Sequence, residues 1–245
     1  MQSKKSGKVN AIIWDYDGTL VDTRRKNLNV TRKIIEKVSG KNWNQFPVLN
    51  TVENYHLAHI KTTNWREFYE EHFGFENNQI DSTGSMWTTY QLDDQTSLPF
   101  IDGVEEALLS LQRFPQGIVS QNSKAIINQN LKAKNMHAYF QSIIGYEEVE
   151  LKKQKPNPEG LIMCIEKLTD LKPGIIIYIG DHETDVRCTA NANNILNNKN
   201  IDINIVSIGA FYGFNVDTSD WSVLPDYKAT KAEDIINIIG EVEKK

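Results

Sequence analysis

Residues 9–22, with the sequence V-N-A-I-I-W-D-Y-D-G-T-L-V-D, decide the fold of this chain. Five of the six residues before Asp15 are apolar, a run that is too short for a helix and too continuous for a half-exposed strand. It predicts a β-strand that is buried on both faces. Asp15 and Asp17 would follow the carboxyl end of this strand, where open α/β sheets bind their ligands. Taken alone, the Asp-x-Asp-Gly-Thr sequence fits either site chemistry or a turn with a helix cap.

The composition is that of a globular protein. The 245 residues are 40% hydrophobic and 24% charged, and no apolar run approaches the roughly 20 residues that span a bilayer. We therefore expect no membrane partner. The polar start M-Q-S-K-K-S-G-K is not followed by the long apolar stretch that a signal peptide contains. We therefore expect a cytoplasmic protein. The net charge of -5 without a basic stripe argues against a nucleic-acid partner.

The sequence pattern changes after Asp22. No second buried strand follows until about Gly117, although a strand-helix-strand unit needs only about 30 residues. Apolar and aromatic residues in between recur at helical spacing, near residues 28–38, 65–73 and 86–90. The pattern predicts a helical domain at residues 23–98, inserted into an α/β core formed by residues 1–22 and 99–245.

Later strands of the predicted core also end in polar side chains. The candidates at these ends are Ser120, Gln121, Asn122, Lys155, Asp181 and Asp185. A parallel sheet would gather them at one edge, together with Asp15 and Asp17. The turn after Ser120 precedes a helix and would suit an anion, although a plain Ser or Asn helix cap explains it as well. His182 lacks the spacing partners of a zinc site and is interpreted as a loop residue. The asparagine-rich residues 191–204 are interpreted as a polar connector.

Four motifs in this order resemble the haloacid dehalogenase superfamily: W-D-Y-D-G-T-L-V-D, I-V-S-Q-N-S, K-P-N-P-E-G and Y-I-G-D-H-E-T-D. They are most similar to phosphatases of that superfamily with a helical cap inserted after the first motif. The stretches F-I-D-G-V-E-E-A-L and P-D-Y-K-A-T-K-A-E-D-I resemble members related to phosphoglycolate phosphatase. The resemblance implies an α/β fold, with a Rossmann-like parallel sheet core and an inserted helical cap.

The resemblance also implies a reaction and a role for each motif residue. A small phosphorylated metabolite would be hydrolysed through an aspartyl-phosphate, with Asp15 as the nucleophile and Asp17 as the acid and base. Mg²⁺ would be bound by Asp15, the backbone carbonyl of Asp17, and Asp181. The residues implied to surround the phosphate or its binding loop are Thr19, Ser120, Gln121, Asn122 and Lys155. Asp185 would orient Lys155 or a metal-bound water from outside the ligand set.

Two motifs depart from the family pattern. Gln121 follows Ser120 where many relatives have Asn, which makes Asn122 the candidate for the displaced counterpart. His182 stands where a small Ser is common.

Two alternatives to a phosphatase remain open at this level. A phosphomutase of the same fold would return the phosphoryl group to a sugar. A phospho-receiver signalling module also combines acids, a hydroxyl and a lysine around a phosphorylated aspartate, although the chain length and the inserted helices count against it. Dehalogenation is disfavoured because a departing halide needs no proton, whereas Asp17 is placed to supply one.

Overall fold

The computed structural model describes residues 7–62, 64–214 and 217–244. The chain divides into two units, one with the described residues of Met1–Asp22 and Phe100–Lys245, the other with those of Thr23–Pro99. Pro99, which the sequence interpretation placed in the core, groups with the second unit. That the second unit is a substrate-selecting cap stays a prediction. No helix in the described part of the chain is long and apolar enough to cross a membrane.

The first unit is built on a parallel sheet with the strand order β3-β2-β1-β4-β5-β6. The strands are β1 (Val9–Trp14), β2 (Gln116–Val119), β3 (Ser142–Ile144), β4 (Gly174–Gly180), β5 (Ile203–Ala210) and β6 (Tyr227–Ala229). All five neighbouring pairs are parallel, which confirms the predicted α/β class. The chain builds outward from β1 to one side and then from β4 to the other. The strand order therefore reverses between β1 and β4, where open sheets form a ligand crevice.

The described residues form nine α-helices. They are α1 (Arg24–Ser39), α2 (Val52–His59), α3 (Trp65–Phe73), α4 (Asn77–Asp93), α5 (Val104–Ser110), α6 (Lys124–Ala133), α7 (Glu159–Thr169), α8 (Glu183–Asn198) and α9 (Asp234–Lys244). The first four belong to the second unit, and α1, α3 and α4 contain the three stretches predicted to be helical. The sequence interpretation missed α2, which is short and has no clear apolar face.

Helices cover both faces of the sheet. Ile12 of β1 packs in a core with α5, α6 and α9, whereas its neighbour Ile13 packs in a second core with α7 and α8. Consecutive strand residues point to opposite faces, so β1 is buried on both sides, as predicted. Each such fully buried aliphatic side chain stabilises the fold by about 1.5–3 kcal/mol. This burial makes β1 a rigid support for the residues that follow it.

The predicted connector at residues 191–204 is wrong, because α8 continues to Asn198. Cys188, Ala192 and Leu196 recur every four residues on the buried face of this helix, so its asparagines lie on a regular amphipathic element. Asn193 also pairs with the backbone of β5, since its amide donates to Ile205 O and accepts from Ile205 N, both at 2.8 Å. The connector itself is only residues 199–202.

The second unit has its own aromatic core. Phe68 of α3 is fully buried, and its ring contacts the rings of Tyr55, His59 and Phe73. These aromatics pack with Leu28 and Ile35 of α1 in one hydrophobic cluster. The cluster supports the interpretation of most aromatic residues in this unit as core.

Candidate active site

The loop after β1 brings a buried carboxylate to the edge of the sheet. Asp15 is 6% exposed, and its N–H donates to Ile179 O at 2.7 Å, which extends the β1–β4 pairing by one residue. The loop then turns at Gly18, which has a φ of +78°. A Cβ at Gly18 would lie 2.2 Å from Asp181 Oδ2, so only glycine permits this approach of the two strand ends.

Three carboxylates meet beside this loop. In the part of the chain that the structure describes, ligand oxygens of Asp15, Asp181 and Asp185 lie within 4.8 Å of one another. Burial raises the pKa of Asp15 to about 7, although Lys155 opposes the change. Burial, followed by repulsion from Asp15 and Asp185, also raises the pKa of Asp181 well above its usual value. Without a bound cation, the cluster therefore disfavours the ionised forms of Asp15 and Asp181.

The cluster fits a hard divalent cation such as Mg²⁺. Carboxylate oxygens are the ligands that Mg²⁺ prefers, and a bound cation would reverse the cost of keeping buried carboxylates ionised. Asp15 and Asp181 were predicted as ligands, and both belong to the cluster. The structure adds Asp185 to the same group of oxygens. Thr19, which was predicted to bond across the motif loop, has its Oγ1 at 3.5 Å from Asp181 Oδ1.

Lys155 is the cation that faces this cluster from the loop before α7. Its Nζ donates to Asp15 Oδ1 at 2.5 Å and to Asp185 Oδ1 at 2.7 Å, and its side chain is 6% exposed. Burial lowers the pKa of Lys155, but the carboxylates of Asp15 and Asp185 outweigh it and hold that pKa well above its usual value. Lys155 is therefore a fixed positive charge beside Asp15.

Asp185 is itself held from two sides. Its Oδ1 accepts a hydrogen bond from the hydroxyl of Tyr178 at 3.0 Å, and its Oδ2 accepts from the N–H of His182 at 3.2 Å. His182 caps α8, since its Nδ1 accepts from Thr184 N at 3.3 Å. This geometry supports the prediction that Asp185 orients Lys155. His182 is the N-cap residue of α8.

The end of β2 brings two polar side chains to Asp17. Ser120 Oγ lies 3.4 Å from Asp17 Oδ2, and Asn122 Nδ2 donates to Asp17 Oδ1 at 3.0 Å. Ser120 and Asn122 are both buried, whereas the side chain of Gln121 is exposed. Of the three consecutive candidates, the structure thus brings the first and third together with Asp17.

The N-terminus of α6 already carries an anion that the protein supplies. The carboxylate of Glu147 accepts a hydrogen bond from Ser123 Oγ and a second one from Lys124 N, the latter at 3.0 Å. Ser123 Oγ in turn accepts from Ala125 N at 3.2 Å, as a helix cap does. The simpler alternative of a helix cap is confirmed at Ser123, and Glu147 binds the N–H of Lys124 at the start of α6.

The sequence analysis missed two contacts that fix the motif loop from the segment after β5. The hydroxyl of Tyr212 donates to Thr19 O at 2.9 Å. A Cβ on Gly213 would lie 2.9 Å from Gly18 O, so the backbone there lies directly against the loop. Further along this segment, the N–H and the hydroxyl of Ser222 both donate to the carboxylate of Glu183 at the start of α8. No motif marks these residues, because their partners lie far away in sequence.

The strand order and the grouping of Asp15, Lys155 and Asp181 place a candidate active site at the carboxyl edge of an α/β sheet. The chain belongs to the haloacid dehalogenase-like hydrolase family, whose model matches residues 12–195. The predicted family and the prediction of an enzyme are confirmed by this match.

Several known proteins are similar to the chain over nearly its whole length. Pyrophosphatase PpaX of Listeria monocytogenes is 24% identical over 241 residues, which cover 97% of this chain and all of that protein. A crystal structure of a candidate phosphoglycolate phosphatase from Lactobacillus plantarum superposes with a TM-score of 0.73 at 18% identity, covering 94% and 99% of the two chains. CbbY from Rhodobacter sphaeroides, solved with phosphate, gives 0.68 at 14% identity, covering 93% and 96%. At these identities the two solved structures show a shared fold.

Proposed function

We propose that the protein is a Mg²⁺-dependent phosphomonoester hydrolase that acts on a small phosphorylated metabolite through an aspartyl-phosphate at Asp15. The observation that carries the proposal is the buried Asp15 carboxylate at the end of β1, held by Lys155 beside Asp181. The family match and the phosphatase names of the relatives support it over a phospho-receiver module.

In the first step, a carboxylate oxygen of Asp15 attacks phosphorus as the bond to the leaving oxygen breaks. Asp17 gives a proton to that oxygen, so that an alcohol departs instead of an alkoxide. Lys155 and Ser120 would bind the phosphoryl oxygens, whose charge is spread in the transition state. The support for these roles is that Asp17 and Ser120 are neighbours, and that Lys155 already contacts the nucleophile.

In the second step, water attacks the phosphorus of the aspartyl-phosphate. Asp17, now ionised, accepts a proton from that water, and the bond between phosphorus and Asp15 breaks. The products are inorganic phosphate and the original Asp15 carboxylate. Asp17 then holds the proton that it had lost in the first step, so the cycle balances.

Asp15, Asp181 and the backbone carbonyl of Asp17 would hold the Mg²⁺. When bound, Mg²⁺ supplies the positive charge that lets an anionic phosphate approach the anionic Asp15. We expect excess chelator to lower turnover on the order of 10²-fold or more, because such charge stabilisation is worth several kcal/mol. Phosphate release with chelator, before and after Mg²⁺ is restored, measures this. Full activity in chelator would show that the acidic cluster serves another purpose.

The substrate candidates follow from the names of the relatives. Pyrophosphate is the substrate named for PpaX, and phosphoglycolate is named for the solved structure from Lactobacillus plantarum. A phosphate-release assay against a panel that contains both, with small sugar phosphates, identifies the preferred substrate. A phosphomutase would instead return the phosphoryl group to a sugar and release little phosphate.

A cytoplasmic location without nucleic-acid or membrane partners stays a prediction.

Replacement of Asp17 separates its role from that of Asp15. Asp17→Ala is expected to lower turnover of an alkyl phosphate on the order of 10²-fold, because an alkoxide leaves poorly without a proton. An activated aryl phosphate departs as a stable anion and should lose less. The rate of leaving-group release in the first turnover measures the difference, because the later hydrolysis of the aspartyl-phosphate is common to both esters. Equal losses for both esters would mean that Asp17 is not the proton donor.

A further inference from the structure

Asn122 is fixed at both ends of its side-chain amide. Its Nδ2 donates to Asp17 Oδ1 at 3.0 Å, and its Oδ1 accepts from the backbone N–H of Ser123 at 2.7 Å. The residue is 5% exposed. Because the Ser123 N–H can only donate, the amide oxygen must face Ser123 and the amide nitrogen must face Asp17. The orientation of this amide is therefore determined by its surroundings.

The backbone of Asn122 is held as well. Its N–H donates to Ser120 Oγ at 3.0 Å, and its carbonyl accepts from Tyr146 N at 3.1 Å. The Asn122 side chain thus approaches Asp17 from a support that is anchored to β2 and to the turn after β3. The contact between Asn122 and Asp17 is shorter than the 3.4 Å between Ser120 Oγ and Asp17 Oδ2.

We infer that Asn122 is a positioning residue for Asp17, and not a ligand of the phosphate as the motif comparison implies. The amide nitrogen can only donate, so Asp17 Oδ1 must accept, and the proton that Asp17 transfers is carried on Oδ2. Asn122 fixes the plane of the carboxyl group and selects the oxygen that exchanges the proton. This inference rests on the proposed function, in which Asp17 serves the leaving group and the water.

The contact also explains how Asp17 stays oriented when substrate is bound. Ser120 has one hydroxyl proton, which cannot be donated to Asp17 and to a phosphoryl oxygen at the same time. When Ser120 turns to the phosphate, the bond from Asn122 still holds Asp17. At the end of β2, Ser120 therefore binds the phosphoryl group, whereas Asn122 positions the carboxyl group of Asp17.

The test compares Asn122→Ala and Asn122→Asp on an alkyl and an aryl phosphate, with Mg²⁺ present. A hydrogen bond to a charged group is worth about 1.5–3 kcal/mol, so kcat for the alkyl ester should fall about tenfold or more in each variant. The aryl ester should lose much less, and KM should change little in Asn122→Ala. Asn122→Asp keeps the shape and the bond from Ser123 but replaces the donor with an acceptor, so it should be no better than Asn122→Ala. Circular dichroism checks the fold, and Asn122→Asp carries the test if the alanine variant fails to fold.

A double variant makes the test sharper. If Asn122 acts through Asp17, adding Asn122→Ala to Asp17→Ala should cause no further loss on the alkyl ester. If Asn122 instead bound the phosphate, the two losses would multiply. Asn128→Ala, which removes a partly exposed amide on α6 that contacts His137 and is not bonded to Asp17, is the matched control and should behave as the wild type.

Two results would overturn the inference while leaving the proposed function in place. One is a multiplied loss in the double variant, and the other is an equal rise in KM for both esters without a change in their kcat ratio. A different result separates the two claims: if Asp17→Ala itself loses equally on both esters, the proposed role of Asp17 fails, and the role of Asn122 fails with it.

Discussion

Asp15→Asn is expected to lower turnover on the order of 10⁴-fold or more, the scale seen when a catalytic nucleophile is removed. An amide oxygen is a poor nucleophile toward phosphorus, so no aspartyl-phosphate can form. The loss should be the same for alkyl and aryl esters, because attack fails before the leaving group matters. Initial rates of phosphate release at saturating Mg²⁺ measure it.

The control for Asp15→Asn is the same substitution on the surface. Asp170 is exposed and has a φ of +50°, a conformation that asparagine adopts readily, so Asp170→Asn should keep full activity. Asp15→Asn should also stay folded, since it removes one charge from a crowded acidic cluster. Turnover within tenfold of the wild type would refute Asp15 as the nucleophile.

Lys155→Met is expected to damage both stability and turnover. The ammonium of Lys155 contacts the buried carboxylates of Asp15 and Asp185, and its removal leaves them without that partner. Breaking a buried ion pair from one side costs about 3–5 kcal/mol of the free energy of unfolding. Turnover should fall on the order of 10³-fold, because Lys155 would also bind the transferring phosphoryl group.

Urea denaturation of Lys155→Met with and without Mg²⁺ measures the stability loss. A cation in the acidic cluster should restore part of the lost free energy, since ligand binding to the folded state stabilises it. Lys172→Met serves as the control, because the Lys172 ammonium is exposed and its pairing with Asp170 is long, at 3.7 Å. A stability change below about 1 kcal/mol, the range of exposed ion pairs, would mean that Lys155 is not a structural counter-charge.

The support of the site could be predicted from the sequence because local patterns specify it. The apolar run before Asp15 forms β1, and the still more apolar run before Asp181 forms β4, which pairs with it. Parallel strands that pair in register bring their carboxyl ends together, so placing the two runs also placed the two carboxylates. Lys155 was marked by its position before α7, and its contact with Asp15 follows from the same geometry.

The contacts that orient the site could not be predicted, because they join residues that are distant in sequence. The hydrogen bond between Asn122 and Asp17 joins residues 105 positions apart, and the one between Tyr212 and Thr19 joins residues 193 positions apart. Glu147 reaches the start of α6 from the turn after β3, which no rule for helix caps would reveal. Composition also misled at α8, where the buried spacing of Cys188, Ala192 and Leu196 outweighs the low helix propensity of its asparagines.

The central claim is that Asp15 becomes covalently phosphorylated during turnover. Its most direct test is the intact mass of Asp17→Ala protein, quenched in acid while it hydrolyses an activated aryl phosphate with Mg²⁺. Formation of the intermediate needs little help from Asp17 with this leaving group, whereas its hydrolysis does, so the intermediate should accumulate. We predict protein heavier by one phosphoryl group, which peptide mapping places on Asp15. Turnover of the ester with unmodified protein throughout, or a phosphoryl group on another residue, would contradict the account.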